Sequence, residues 1–336
     1  MPFHAVSNGC WNKGISLNCF DLSNMAIIID TQRLKTEAKH LGFSACGVTP
    51  AIPVDSLVAD AYRQWIGKGY QAEMGYLNNH VEKRFDPNLL VEGAQSVVSV
   101  ALNYYPAELL DAERQYEFAW YAYGQDYHDV MKARLTALAE ALLEGIEGEV
   151  NYRVFCDTAP VLERYWAWRC GLGWIGKNTQ LIIPHAGSSF FLGEIIFDRP
   201  FTAYDEPLPN RCGTCTRCLD ACPTGALTGP CTLDARRCLS YLTIEYRGDT
   251  LSAEAARAMG NCIYGCDRCQ QACPWMRFAR PTGVAEFHPN PDFFSLSKEQ
   301  LQHLTVEDYR RIFRGSAIKR AKYEGLMRNL KALSAD

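Results

Sequence analysis

Two runs of cysteine carry the most specific chemistry in this sequence. Cys212, Cys215, Cys218 and Cys222, followed by Pro223, read C-x2-C-x2-C-x3-C-P; Cys262, Cys266, Cys269 and Cys273 are followed by Pro274. The first spacing is that of bacterial ferredoxins, in which three thiolates grip one 4Fe-4S cube and the fourth reaches across to a second. The second run keeps C-x2-C-x3-C-P from Cys266 onward, but Cys262 stands one position too far upstream. Cys238 lies between the runs, so either one of Cys231, Cys238 and Cys262 completes the second cube or there is only one complete cube. A disulfide framework or a zinc ribbon fits less well, because zinc takes four ligands and does not call for two crossed C-x3-C-P runs.

Other residues suited to chemistry are fewer. Val150, Tyr152 and Val154 alternate as a strand should and deliver Cys156 and Asp157 to its carboxyl end; Pro160 then suits the first turn of a helix through Glu163, Arg164 and Trp168. Strand ends that meet helix starts are where α/β folds collect catalytic groups. On the residues alone, Asp157 reads more simply as a cap of that helix. Asp126-Tyr127-His128 shares its Asp and His with the D-x-H-x-x-G signature of enzymes that replace cobalamin's own base with a histidine. Met131 stands where the glycine should be, so His128 reads as an ordinary helix-start histidine. Gly171-Leu-Gly-Trp-Ile-Gly176 matches G-x-G-x-x-G by letter, but a helix precedes it and a strand follows, the reverse of the dinucleotide fingerprint. Between Tyr309 and Leu330, apolar residues interleave with Arg310, Arg311, Arg314, Lys319, Arg320, Lys322 and Arg328. That pattern is open to two readings, a solvated basic face of amphipathic helices or a phosphate-binding surface.

The elements that must position these groups follow from periodicity. Leu34, Ala38 and Leu41 share a helical face that stops at Gly42; residues 56 to 67 form a second helix; Val130, Leu135, Leu138 and Leu142 mark a third, ending at Gly145. Val97 to Leu102 and Phe190 to Phe197 read as buried strands, and Lys83-Arg84-Phe85-Asp86-Pro87 as a polar loop that ends before a proline. The proline-rich stretch from Pro200 to Pro209 marks a boundary. Four segments are expected: a disordered leader over 1–24, an α/β domain over 25–205, a ferredoxin-like domain over 206–280 and a helical basic tail over 281–336.

The formal net charge of −4 over 336 residues means that any nucleic-acid contact must come from a local patch. The 15 cysteines, most of them at cluster spacing, fit a reducing cytosol better than export. Ala26-Ile27-Ile28-Ile29 is too short to span a membrane and has no twin arginine before it, so a cytoplasmic protein is expected.

Several stretches taken together resemble the epoxyqueuosine reductases, the cobalamin and iron–sulfur enzymes that complete queuosine in transfer RNA. They are Lys83 to Pro87, Asp126-Tyr127-His128, Asp157 to Arg164, Gly171 to Thr179, Gly187-Ser188 with Leu192-Gly193-Glu194, Cys212 to Leu227, Cys238 to Glu245, Gly265 to Gln270, and Cys273-Pro274-Trp275. The resemblance implies an α+β fold. A nitroreductase- and reductive-dehalogenase-like α/β domain would hold cobalamin with its lower base detached, beside a ferredoxin-like domain with two 4Fe-4S clusters and a short helical C-terminal tail. It further implies Cys212, Cys215, Cys218 and Cys273 as ligands of the first cluster, and Cys222, Cys238, Cys266 and Cys269 as ligands of the second. Cys262 is then a neighbour of a cluster and not a ligand. The cobalamin contacts carried over are Arg84, Asp157, Lys177, Asn178, Thr179, Ser188, Ser189, Ser240, Asp267 and Arg268. Longer members of that family continue into a helical-repeat tail.

The implied reaction, the last step of queuosine biosynthesis, reduces epoxyqueuosine to queuosine at the wobble position of tRNA anticodons. It removes the epoxide oxygen as water and consumes two electrons and two protons. Side chains cannot supply those electrons, whereas a low-valent cobalt centre refilled through two cubes by an external low-potential donor can. Asp157 is the candidate proton donor, which requires burial beside the corrin to raise a carboxyl pKa from about 3.9. Arg247, Lys319 and Arg320 are the expected contacts to the anticodon stem-loop. A monomer is expected. Two other functions share part of the pattern. One is a corrinoid and iron–sulfur reductive dehalogenase, usually marked by a twin-arginine leader; the other is a non-catalytic ferredoxin-type electron carrier, which would take up no corrinoid.

Overall fold

The computed structural model describes residues 27–334; the expected leader over 1–24 lies outside them. Asp30 opens α1 (Thr31–His40) by accepting the Gln32 N–H, and β1 (Ala45–Pro50), α2 (Ser56–Gly67), α3 (Val81–Phe85) and β2 (Ser96–Asn103) follow. The Lys83–Pro87 stretch is therefore not a polar loop. Its first residues complete α3, which buries Phe85, and Asp86 caps a further 3-10 turn by accepting the Asn88 N–H. The chain continues through β3 (Glu117–Phe118), α4 (Tyr127–Leu143), β4 (Tyr152–Phe155), α5 (Glu163–Arg169), the hairpin of β5 (Trp174–Ile175) and β6 (Leu181–Ile182), and β7 (Phe190–Phe197). The glycine-rich 171–176 segment thus leads into a hairpin, with no helix after it.

Four of these strands form a sheet in the order β1-β2-β7-β4, each neighbouring pair antiparallel. Side chains alternate across β7 as the pleat requires. Phe191, Ile195 and Phe197 pack with Leu34 of α1 and Leu135, Leu138 and Leu142 of α4, while Ile196 packs with Tyr165 and Trp166 of α5 on the opposite face. Burial of each such leucine is worth about 1.5–3 kcal/mol, which is why the apolar stripe of α4 settles against the sheet. Gly193 permits the close approach: a Cβ there would lie 2.8 Å from both Leu135 Cδ1 and Met131 Cε. Because this sheet has no parallel pair, the strand-end rule for parallel α/β folds is not what places the site; α4 and α5 place it from either face.

After β7 an extended stretch runs back along the first unit. The Ile29 N–H donates to the Pro200 carbonyl, the Thr31 hydroxyl to Ala203, and the Asp205 carboxylate accepts the Val48 N–H. Beyond it come α6 (Arg217–Asp220), the hairpin of β8 (Leu227–Gly229) and β9 (Thr232–Leu233), α7 (Leu239–Ile244), α8 (Ala253–Met259), β10 (Cys262–Tyr264) and α9 (Arg268–Gln271). The C-terminal helices are α10 (Pro291–Phe294), α11 (Lys298–Gln302), α12 (Val306–Ile312) and α13 (Lys322–Leu333). They do not trail from the fold. Phe293, Leu301, Ile312, Leu326 and Leu330 share one core with Phe118, Leu239, Ile244 and Ile263. Buried Arg328 donates to the carbonyls of Leu242, Tyr246 and Gly248, and Asn329 to those of Thr243 and Ile263. Among the described residues no helix is long and apolar enough to cross a membrane.

Candidate active site

Past β4 the chain turns sharply. Asp157 adopts a φ of +54°, a left-handed conformation that costs a non-glycine residue about 1–3 kcal/mol. The Thr158 N–H closes the turn on the Cys156 carbonyl at 2.6 Å, and the Glu163 carboxylate accepts the Asp157 N–H. Asp157 does not cap the following helix, which starts at Glu163 and not at Pro160 and has no side-chain cap. Its carboxylate is turned the other way. Oδ2 accepts the Tyr127 hydroxyl at 2.7 Å and lies 3.1 Å from His128 Nε2. His128 Nδ1 is 2.6 Å from Asp126 Oδ1, and the second oxygen of Asp126 meets Lys319 Nζ at 2.7 Å. His128 does sit at a helix start, as expected, but it links two carboxylates there. Asp126 is the N-cap of α4 and accepts the His128 N–H as well. Stacking of Tyr127 on Phe191 at 4.3 Å and on His128 at 4.1 Å fixes both rings.

The electrostatics of this row follow from its hydrogen bonds. Those to Asp126 and Asp157 push His128 up to about 9 against the effect of burial. Burial works to raise Asp157, but hydrogen bonds from His128 and Tyr127, with the charges of His128 and Arg164, outweigh it and leave the carboxyl below its usual range. The expected rise of Asp157 rests on burial beside the corrin; the protein's own groups act in the opposite direction. Of the two groups, His128 is the one whose protonated form the row favours. On the other side of Asp157 lie two more carboxyls: Glu163, pushed up by burial and by the charge of Asp157, and Glu194, pushed up by burial and by Glu163. Glu194 accepts the Ser99 hydroxyl, and its other oxygen has no partner among the described residues.

Asp157 remains 56% exposed even though surrounding atoms desolvate it, as a group on the wall of a recess does. Tyr76 stands at the same recess, pushed up by burial and then by the charges of Glu245 and Asp157, with the Arg320 guanidinium 5.7 Å from its ring. Arg320 forks onto Glu245 at 2.7 and 2.8 Å, and Arg247 donates to the carbonyls of Ile244 and Arg320. The structure thus gathers Arg247, Lys319 and Arg320 near the recess. Lys319 and Arg320 already face carboxylates; among the described residues Arg247 contacts only carbonyls.

The cysteines divide into two sets. Cys218 is pushed up by burial and then by the charges of Cys273 and Cys212, and Cys273 by burial, Cys212 and Cys215. All four line one cavity of about 220 Å³ with Lys177, Arg211 and Trp275. Cys269 responds to burial and then to Cys266, Cys238 and Cys222. Cys262 is buried in β10 near Cys266, with its thiol directed at the Gly265 carbonyl at 3.2 Å. Exposed Cys231 contacts the Gly176 carbonyl at 3.4 Å. Among the described residues no three His, Cys, Asp or Glu side chains converge as they would on a single ion. The thiols of the first set instead surround a space, which suits a cube better than zinc.

Residues 84–158 match the family described as "Epoxyqueuosine reductase QueG, DUF1730", and residues 211–276 match the "4Fe-4S double cluster binding domain". An epoxyqueuosine reductase of Cellulophaga algicola is 44% identical over 300 residues, which are 89% of this chain and 96% of that protein. This chain belongs to the epoxyqueuosine reductase family. Two solved structures of such reductases are each 31% identical over 90% of this chain and 80% of theirs. One, with a TM-score of 0.82, holds a tRNA-Tyr epoxyqueuosine-modified stem loop; the other, from Bacillus subtilis with a TM-score of 0.81, has its catalytic aspartate loop swung out of the active site. Membership makes the protein an oxidoreductase, and its double-cluster domain takes two 4Fe-4S centres.

The residues that the resemblance to epoxyqueuosine reductases assigns to cobalamin fall into three groups. Lys177 donates to the Gly213 and Cys215 carbonyls, Asn178 to Cys269, Ser188 to Met276 Sδ, and Ser189 accepts from Gln270, so these four stitch the α/β unit to the cluster unit. Asp267 accepts the Trp120 N–H and Arg268 donates to the Ala258 and Met259 carbonyls, so both side chains already have partners within the protein. Arg84, Asp157, Thr179 and Ser240 retain groups for a ligand: Arg84 Nε is buried without a partner, and neither the Thr179 nor the Ser240 hydroxyl is bonded among the described residues. Sequence reasoning missed the Asp126–His128–Asp157 row and the Glu163–Glu194 pair. The one available signal was a Tyr-His step directly after a capping Asp.

Proposed function

We propose that the protein reduces epoxyqueuosine to queuosine at the wobble position of tRNA, at the recess walled by Asp157. The observation that carries this reading is the hydrogen-bonded row of Lys319, Asp126, His128 and Asp157, which ends in an accessible carboxylate. The first cluster is assigned to Cys212, Cys215, Cys218 and Cys273, and the second to Cys222, Cys238, Cys266 and Cys269. Cobalamin is assigned to Arg84, Asp157, Thr179 and Ser240, with Lys177, Asn178, Ser188, Ser189, Asp267 and Arg268 bordering the seam. The unpaired Arg84 Nε and the free hydroxyls fit a ring fringed with amide carbonyls. When bound, that group supplies low-valent cobalt able to reduce the strained epoxide carbon, which no side chain can do.

The side chains manage the protons. As the C–O bond breaks, the leaving oxygen becomes a far stronger base than Asp157. The proton held on His128 Nε2 passes through Asp157 Oδ2 to that oxygen, while Lys319 and Asp126 fix the orientation of the imidazolium. Positioned proton donation of this kind is worth about 10²- to 10⁴-fold in rate. Arg247, Lys319 and Arg320 meet the phosphates around an unstacked base that enters the recess. In this division residues 25–205 form the cofactor unit, 206–280 the electron path and 281–336 the basic rim. The protein acts as a monomer in the cytoplasm, where its substrate is.

The test is anaerobic incubation with cobalamin, a strong reductant and epoxyqueuosine-containing tRNA, followed by nucleoside mass analysis. Queuosine is the expected product. An unchanged epoxide with both clusters and the corrinoid fully loaded would refute the reading.

A further inference from the structure

The two cysteine sets differ in their cover. Cys266 and Cys269 sit in a segment, 261–270, with no exposed residue, whereas Cys212 and Cys215 sit in a loop whose Arg211, Gly213, Thr214, Thr216 and Arg217 are all exposed. The first set is therefore the nearer to solvent. Two cavities reach its thiols. One, of about 400 Å³, touches Cys273 and is walled by Trp120 and Tyr105 between Arg217 and Arg277. The other, on the thiols themselves, is edged by Arg211.

None of Arg211, Arg217 and Arg277 forms an ion pair among the described residues, whereas Arg134, Arg236, Arg311 and Arg320 all do. The acidic group on the same helix as Arg217 is Asp220, hydrogen-bonded to Thr216. In a chain of net charge −4, three unneutralised arginines around one redox site make a local field of the opposite sign.

We propose that this face docks a small acidic protein carrying a one-electron centre, and that electrons enter the chain at the cluster of Cys212, Cys215, Cys218 and Cys273. The inference rests on the reduction proposed above. Each encounter oxidises the carrier by one electron and reduces one cluster by one, with no proton transferred. Two encounters supply the two electrons that one epoxide consumes. The arginines steer and orient the carrier, and the Trp120–Tyr105 wall, whose rings meet edge-on at 5.2 Å, offers the apolar contact.

The experiment uses reconstituted, corrinoid-loaded protein and the variant carrying Arg217→Glu and Arg277→Glu. Cluster bleaching is followed in stopped flow with reduced flavodoxin as the acidic carrier, and separately with photoreduced 5-deazariboflavin, a small uncharged reductant. Carrier affinity is read by calorimetry at two salt concentrations. At low salt the variant is expected to slow bleaching by flavodoxin on the order of tenfold or more and to weaken its binding, with the deazaflavin rate unchanged. Equal slowing with both reductants would show damage to the cluster and overturn the proposal, as would an unchanged flavodoxin rate. Weakened tRNA binding with unchanged flavodoxin kinetics would assign the face to RNA and overturn it too. Nucleoside conversion by deazaflavin-reduced wild type is scored apart. Its failure would refute the epoxide reading and leave the carrier measurement standing.

Discussion

The row that ends at Asp157 makes the alkaline limb of the reaction predictable. His128 rises from an ordinary value of about 6.5 to about 9 because two carboxylates face its ring nitrogens. At about 1.4 kcal/mol per tenfold, that rise favours the protonated form by roughly 3 kcal/mol, which screening at a ring 32% exposed reduces to about 1–2 kcal/mol. The folded value lies above the unfolded one. The stabilisation is therefore complete below about pH 6.5 and is lost as the pH rises through about 9. The assay is single-turnover epoxide reduction by pre-reduced enzyme, so that electron supply does not limit the rate. Between pH 7 and 8 the rate constant should be flat, and above about 9 it should fall about tenfold per pH unit. His128→Gln should lower it about 10²- to 10⁴-fold and abolish the alkaline limb, and Asp157→Asn should match that loss with both clusters intact. Imidazole NMR provides an independent readout, since Asp126→Asn should return the His128 titration toward about 6.5. A wild-type profile flat through pH 10, or a His128→Gln enzyme within twofold of wild type while Asp157→Asn is dead, would refute the shared proton. Asp157 would then donate alone.

Four further outcomes follow from the structure. Cys238→Ala should lower iron content after anaerobic reconstitution toward half, whereas Cys262→Ala should leave it full; the reverse pattern would exchange their assignments. Gly47→Ala places a Cβ 1.9 Å from the Cys170 carbonyl oxygen, so backbone must move, and a loss of at least about 1–3 kcal/mol should appear as a lower unfolding midpoint. Arg328→Met strands three partly buried carbonyl partners at a cost of about 1–3 kcal/mol, and limited proteolysis should then cut within α13 sooner. Raising salt should weaken tRNA binding steeply; Arg247→Ala should reduce the salt slope by about one contact, and Arg320→Ala by less, because Glu245 already balances that charge.

What the sequence disclosed was local. C-x2-C-x2-C spacing is legible because one short loop must wrap one cube, and the stripes of α1 and α4 are legible because burial on a sheet demands a 3.6-residue period. The strand order β1-β2-β7-β4 was not legible, since antiparallel pairing across a hundred positions leaves no mark on either partner alone. Residues 281–334 looked like a tail for the same reason. Their apolar residues announce burial, but only the fold shows that the surface they cover is Leu239, Ile244 and Ile263. The choice among Cys231, Cys238 and Cys262 likewise came from the family resemblance, because spacing alone does not say which thiol lies near Cys222, Cys266 and Cys269.

The Asp157 site shows why a residue type at a strand end is insufficient to set its own chemistry. Taken singly, a carboxyl in a recess should be pushed up, and that was the sign expected. Tyr127 and His128, about thirty positions earlier, reverse the sign, and they reach Asp157 because Gly193 lets α4 lie close on β7, with β4 as β7's other neighbour. Lys319 completes the row from between α12 and α13, so the C-terminal segment contributes to the protonation state of the site as well as to the second core. In the proposed mechanism protons and electrons arrive by separate routes, the first past the start of α4 and the second through the cysteine loops. A substitution that blocks one route can leave the other measurable, which makes the division of labour testable in a single protein.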